Sequence, residues 1–229
     1  MSLARRSVAE GLGTAFLVAA VVGSGIAAQR LSPGDVGLQL LVNSIVTGAA
    51  LVALILALQP VSAAFNPLVT LLERAFGAID NRVAISLIGA QLAGGILGVV
   101  IANLMFGEPA VTIATHHRTG SGLWLGEVVA TLGLMVVIFG AARTGRSDRT
   151  AYAVGAYITA AYWFTSSTSF ANPAVSIART LSNTFAGIAP ASLPAFLLAQ
   201  GVGAVLAYPL IRLLYPTPAR LVEPEIAHG

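Results

Sequence analysis

The sequence predicts an all-α membrane protein of six transmembrane helices and two shorter helical segments, arranged as an inverted 3+3 repeat. Three observations predict this class. The chain is 56% hydrophobic and 9% charged, with a mean hydropathy of +0.85, where a soluble domain carries about 25% charge. A helix needs about 20 apolar residues to cross a ~30 Å hydrocarbon core. Six stretches reach that length, at roughly 8–29, 37–58, 83–106, 122–142, 151–168 and 192–214. Finally, an Asn-Pro pair stands at the head of a short apolar segment twice, as Asn66-Pro67-Leu68 and Asn172-Pro173-Ala174.

The first stretch follows Arg5 and Arg6 and is too long for the apolar core of a cleaved signal peptide, so it reads as a retained span. It carries Glu10-x-x-x-Thr14, and the fourth stretch carries the matching Glu127-x-x-x-Thr131. Ala90-Gln91 in the third stretch likewise matches Ala199-Gln200 in the sixth. Segments 61–72 and 170–181, which hold the Asn-Pro pairs, are too short to span: twelve residues cover only ~18 Å as helix. They lie at the interface, or they dip in and come back out. In the second case the backbone before each Asn, at 62–64 and 165–169, is non-helical at depth, which is tolerated only where it is buried or lines a watery cavity. Asn caps free N–H groups and Pro suits the first helical position, so each pair starts a helix.

Each half has three spans, an odd number, so the second half enters the membrane from the opposite side. One domain covers 1–229, with repeat one at about 8–107 and repeat two at about 122–215. Arg5, Arg6, Arg74, Arg82, Arg143, Arg146, Arg149 and Arg220 fall on one side, and the positive-inside rule makes that side, with both termini, cytoplasmic. In this topology the two Asn-capped helix starts face each other near the midplane. Each carries about half a positive charge, a barrier to cations, and each Asn has N–H donors for a passing hydroxyl. The arrangement suits neutral, hydrogen-bonding solutes.

These residues resemble the aquaporin (major intrinsic protein) family across essentially the whole chain. The resemblance implies six tilted helices with two re-entrant half-helices, a passive pore and a homotetramer in the cell's inner (plasma) membrane. It also implies that Glu10 and Glu127 accept N–H bonds from the re-entrant loops, with Gln91 and Gln200 of similar standing. No metal, cofactor or nucleic acid is expected. The chain departs from the family pattern in two places. The usual Ser-Gly-Ala-His-Phe-Asn-Pro is one residue shorter here, as Ser62-Ala63-Ala64-Phe65-Asn66-Pro67, without the His. The Arg that directly follows the second Asn-Pro-Ala in most members is Val175 here. Counting by the family pattern gives the selectivity-filter candidates Thr47, Ala160 or Ala161, Ser169 and Val175. Arg179, one turn beyond Val175, reads first as a helix-end cation that snorkels to the interface; the repeat puts Glu73 at its equivalent position.

A small, mostly neutral filter resembles that of bacterial aquaglyceroporins associated with arsenic resistance. Arsenous acid, glycerol and water are the solutes it implies. The alternative is a proton-coupled secondary transporter using Glu10 and Glu127, since carboxylates inside a membrane are costly. An intramembrane enzyme finds no support, because the chain has no Cys and no Lys and no His at depth. His116 and His117 sit in an outer loop and read as solvated side chains. Small-residue rows at Gly11/Gly13, Gly94/Gly95 and Gly201/Gly203 read as close helix contacts.

Overall fold

Residues 1–216 are described in the computed structural model; Arg220 lies outside them. Eight α-helices follow one another in two matching sets of four. The first set is α1 (Leu3–Leu31), α2 (Val36–Leu58), α3 (Pro67–Ala75) and α4 (Asn81–Met105). The second is α5 (Ser121–Arg143), α6 (Thr150–Phe164), α7 (Pro173–Ala178) and α8 (Leu193–Leu214). In each set the third helix is the short one. Its N-cap is the Asn of the Asn-Pro pair, with Pro at the first helical position.

Small residues bring the long helices together. A Cβ on Gly94 would lie 2.1 Å from the Gly11 carbonyl oxygen, and one on Gly98 would lie 2.2 Å from that of Ala15, so α1 and α4 touch backbone to backbone. Gly48 and Gly155 do the same for α2 and α6, and Gly203 seats α8 on the Val128 carbonyl of α5. Gly13 makes room for the Phe65 ring, whereas Gly201 has nothing within 4 Å. Without a hydrophobic drive between helices in lipid, such close approach supplies the van der Waals contact that holds them.

The fifth long stretch is shorter than its hydropathy suggests. Its helix ends at Phe164, and 165–172 run as extended and turn backbone. The cause is Thr165-Ser166-Ser167-Thr168-Ser169, whose hydroxyls compete with the helix ladder for backbone groups. Thr165 Oγ1 donates back to the Ala161 carbonyl at 2.7 Å and Ser166 Oγ donates to the Gly122 carbonyl at 2.7 Å. Among the described residues, five helices are therefore long and apolar enough to cross a membrane by length and composition alone. Fifteen residues of α6 rise ~22 Å as helix, and the extended chain beyond Phe164 continues inward to Asn172.

Loop contacts fix which helix ends share a face. The last turn of α5 meets the end of α8, where Arg143 Nη1 donates to the Tyr215 carbonyl at 2.8 Å. Gln59, after α2, donates to the Ser147 carbonyl at 2.8 Å. On the other face Arg30, ending α1, pairs with Glu108 after α4 at 2.6 Å.

Candidate functional site: a constricted passage between the two half-helices

The loops leading into α3 and α7 meet at the centre of the molecule through a reciprocal pair of bonds. Asn66 Nδ2 donates to the Ala171 carbonyl at 2.8 Å, and Asn172 Nδ2 donates to the Phe65 carbonyl at 2.7 Å. Each Oδ1 is turned the other way to cap its own helix, Asn66 on Leu68 N at 3.0 Å and Asn172 on Ala174 N and Val175 N at 3.0 and 3.3 Å. An amide has two N–H donors. One of each is used in the cross-bond, which leaves the second for a solute.

This geometry requires backbone that residues with a Cβ rarely adopt. Phe65 and Ala171, each directly before the Asn, have φ of +48° and +47°, and Thr168 and Ser169 are also left-handed. Such strain persists only where the surroundings over-determine it. Two fully buried carboxylates do so here. Glu10 accepts from Ser62 Oγ at 2.6 Å, Ala64 N at 2.8 Å, Phe65 N at 2.7 Å and Gln91 Nε2 at 2.8 Å. Glu127 accepts from Phe170 N and Ala171 N at 2.9 Å each and from Gln200 Nε2 at 2.6 Å. The glutamines then reach the half-helices, Gln91 to Thr70 Oγ1 and Gln200 to Ser176 Oγ, both at 2.9 Å.

Around the Asn pair run three adjoining cavities. A cavity of about 500 Å³ opens on the face that carries the N-terminus and is lined by Arg6, Gln59, Ser62 and Glu73 among others. It shares Leu51, Phe65, Val69 and Val154 with a neck of about 50 Å³ that contains both Asn residues. The neck in turn shares Arg179 with a cavity of about 140 Å³ on the opposite face, lined by Asn43, His116, Arg118, Thr168 and Phe185. The neck lining includes aliphatic side chains, among them Leu17, Val21, Ile158 and Val175. Its polar groups are the two Asn, Thr47, Tyr162, Ser169 and Arg179. Thr47 and Tyr162 share a hydrogen bond between hydroxyls at 3.1 Å, while the buried Ser169 Oγ has no protein partner among the described residues.

Of the filter candidates from sequence, Thr47, Ser169 and Val175 lie in the neck wall. Ala160 and Ala161 do not: Ala160 is exposed on the outside of α6, and Ala161 is fully buried and accepts from Thr165. Tyr162 and Ile158 line the neck from α6 instead, because that face is fixed by the Gly155–Gly48 contact with α2. Arg179 is the second correction. It is only 3% exposed, so it does not snorkel to an interface. Its Nε donates to the Ala186 carbonyl, and its guanidinium lies 3.4 Å from the Phe170 ring centroid.

Arg118 approaches the same ring, 5.1 Å from its centroid, while donating to the carbonyls of Gly187 and Phe185. Burial pulls its guanidinium down to about 10, so it is still charged at pH 7. Neighbouring His116 is held below its usual 6.5 by burial and then by the charges of Arg118 and Arg179. No group of three His, Cys, Asp or Glu side chains comes together among the described residues. Sequence reasoning missed Phe170 and Tyr162, which only tertiary folding draws to the neck, and Arg118, which it brings onto the Phe170 ring from the adjoining cavity. The aromatic just before Ala171-Asn172-Pro173 was the available signal for Phe170.

Comparison with known proteins agrees with this architecture. A structure of the aquaglyceroporin from Plasmodium falciparum superposes with a TM-score of 0.68 at 18% identity, over 93% of this chain and 100% of that one. At that identity the likeness is one of fold. Aquaglyceroporin AqpS of Rhizobium meliloti (strain 1021) is 50% identical over 230 residues, 98% of this chain and 97% of the relative. Residues 1–171 match the major intrinsic protein family, a match that ends one residue before the second Asn-Pro-Ala. With the paired half-helices and the passage between them, these findings make the chain a multi-pass membrane channel for small neutral solutes, and it belongs to the major intrinsic protein family.

Proposed function

We propose that the channel passes arsenous acid and glycerol, with water, down their gradients. The observation that carries this reading is the mixed lining of the neck. Aliphatic side chains and hydroxyl and amide groups line it together, and among the described residues Ser169 Oγ and one N–H of each Asn stand without protein partners. A small triol matches this mixture, its hydroxyls suiting the polar groups and its carbon or arsenic body the aliphatic ones. Losing hydration is then offset by replacement hydrogen bonds. Val175 supports a larger solute than water, since a branched aliphatic stands where most members set an Arg. The name aquaglyceroporin borne by the 50% identical relative points the same way.

The proton-coupled alternative is less well supported, because every oxygen of Glu10 and Glu127 is already engaged by loop or glutamine donors. Purified protein in vesicles tests the proposal by stopped-flow permeability to water, glycerol and arsenous acid. Flux linear in solute concentration and indifferent to a pH gradient is expected. Saturable accumulation against a gradient would overturn it. We further propose a homotetramer in the inner (plasma) membrane with both termini cytoplasmic. The cluster of Arg at the N-terminal face supports the orientation.

A further inference from the structure

We propose that Arg179 is a solute-contacting, specificity-determining residue of the neck, delivered from one turn beyond Val175 and aimed by the Phe170 ring. The inference rests on the channel reading above and deepens it. Val175 and Arg179 are four residues apart, so they share a helix face. Side chains on a helix lean toward its N-terminus, and the N-terminus of α7 is Asn172 at the centre of the passage. The long Arg179 side chain is therefore directed back toward the level of Val175 rather than out to the membrane surface. The cavities agree, since Arg179 belongs to the wall of both the neck and the cavity beyond it.

Its surroundings position the guanidinium without neutralising it. The Ala186 carbonyl takes Nε, and the Phe170 ring lies against its plane at 3.4 Å. That ring is itself braced, edge to face with Phe196 at 5.2 Å between centroids, and its backbone N–H is tied to Glu127. No carboxylate lies within 4.0 Å of Arg179 among the described residues, and its two terminal nitrogens have no protein acceptor there. A buried cation without a counter-ion is expensive unless something else solvates it. Here the passage itself is next to it, so water and permeating solute supply the missing acceptors. Arg118, on the same ring, adds a second positive charge on the outer side. The neck thus combines a fork of donors for a solute hydroxyl with a field that repels cations.

The test compares native protein with Arg179→Leu, Arg179→Lys and Phe170→Leu in vesicles, reading the glycerol-to-water permeability ratio and the proton leak separately. Arg179→Leu should change the ratio several-fold and raise the leak about tenfold, as expected for removing one fixed charge from a narrow low-dielectric passage. Arg179→Lys should keep the low leak yet shift the ratio, because a point charge replaces a planar fork. Phe170→Leu should move the ratio in the same direction as Arg179→Lys. Native-like values of both readouts in Arg179→Leu, or in Arg179→Lys and Phe170→Leu if the Leu variant does not fold, would overturn the proposal. The native protein is its own control. If it conducts no glycerol or arsenous acid above protein-free vesicles, the channel reading fails; if it conducts and the variants match it, only the role of Arg179 fails.

Discussion

At the scale of single residues, the passage is set by which donors and acceptors are already used. Glu127 answers the backbone N–H groups of Phe170 and of the left-handed Ala171, and Gln200, all buried. Removing its carboxylate orphans all three, and hydrogen bonds to charged groups contribute about 1.5–3 kcal/mol each. Glu127→Ala is therefore expected to lower the thermal midpoint in detergent sharply, with Glu127→Gln recovering part of the loss. An unchanged midpoint would separate the carboxylate from loop placement. Val175→Arg is expected to cut glycerol and arsenous acid flux several-fold while leaving water flux largely intact. A second guanidinium would then share the face on which Arg179 already sits. Equal flux of the large solutes would mean that Val175 is not at the constriction. His116 faces Arg118, Arg179 and His117, and its pKa is held below 6.5. It is thus neutral at pH 7, and its protonation is resisted in the folded state. The stability this lends is present above pH 6.5 and is lost as pH falls below it. Between pH 7 and pH 5 the midpoint of the native protein should fall more than that of His116→Gln.

At the scale of elements, the half-helices show how little sequence separates a span from a turn-back. Asn at the cap and Pro at the first turn start α3 and α7, and both starts were legible because capping chemistry is local. The end of α6 was not. A hydropathy count runs through 165–168, yet the helix stops at Phe164 because hydroxyls and Glu127 offer the backbone other partners. Ala160 and Ala161 lie outside the neck lining for a related reason. Which face of α6 meets the passage is decided by its Gly155 contact with Gly48, not by spacing to Asn172. On α4 the two kinds of glycine can be told apart by substitution. Gly98→Val would drive a side chain into the Ala15 carbonyl and should abolish stable folding, measured by monodisperse yield in detergent. Gly89→Ala has nothing within 4 Å to meet and should be neutral or stabilise by about 0.5–1 kcal/mol.

At the scale of the whole molecule, the inverted arrangement makes one prediction about sidedness. The chain has no Cys, so single cysteines can be placed on a silent background. Ser2→Cys should resist a membrane-impermeant maleimide in intact cells, while Asn183→Cys, on the opposite face beside Thr115, should react. The reverse pattern would invert the proposed orientation. The sequence by itself determined the class, the number of long apolar stretches, the two helix starts and their symmetry, because hydropathy, capping and repetition are properties of short segments. Only the tertiary structure decided what closes the passage. Phe170 comes from a loop, Arg118 from another, Tyr162 from the far end of a shortened helix, and Arg179 lies buried between them. A charge near a helix end looks the same in sequence whether it reaches lipid headgroups or a pore. The difference is made by an aromatic ring and a carbonyl that fold against it from elsewhere in the chain.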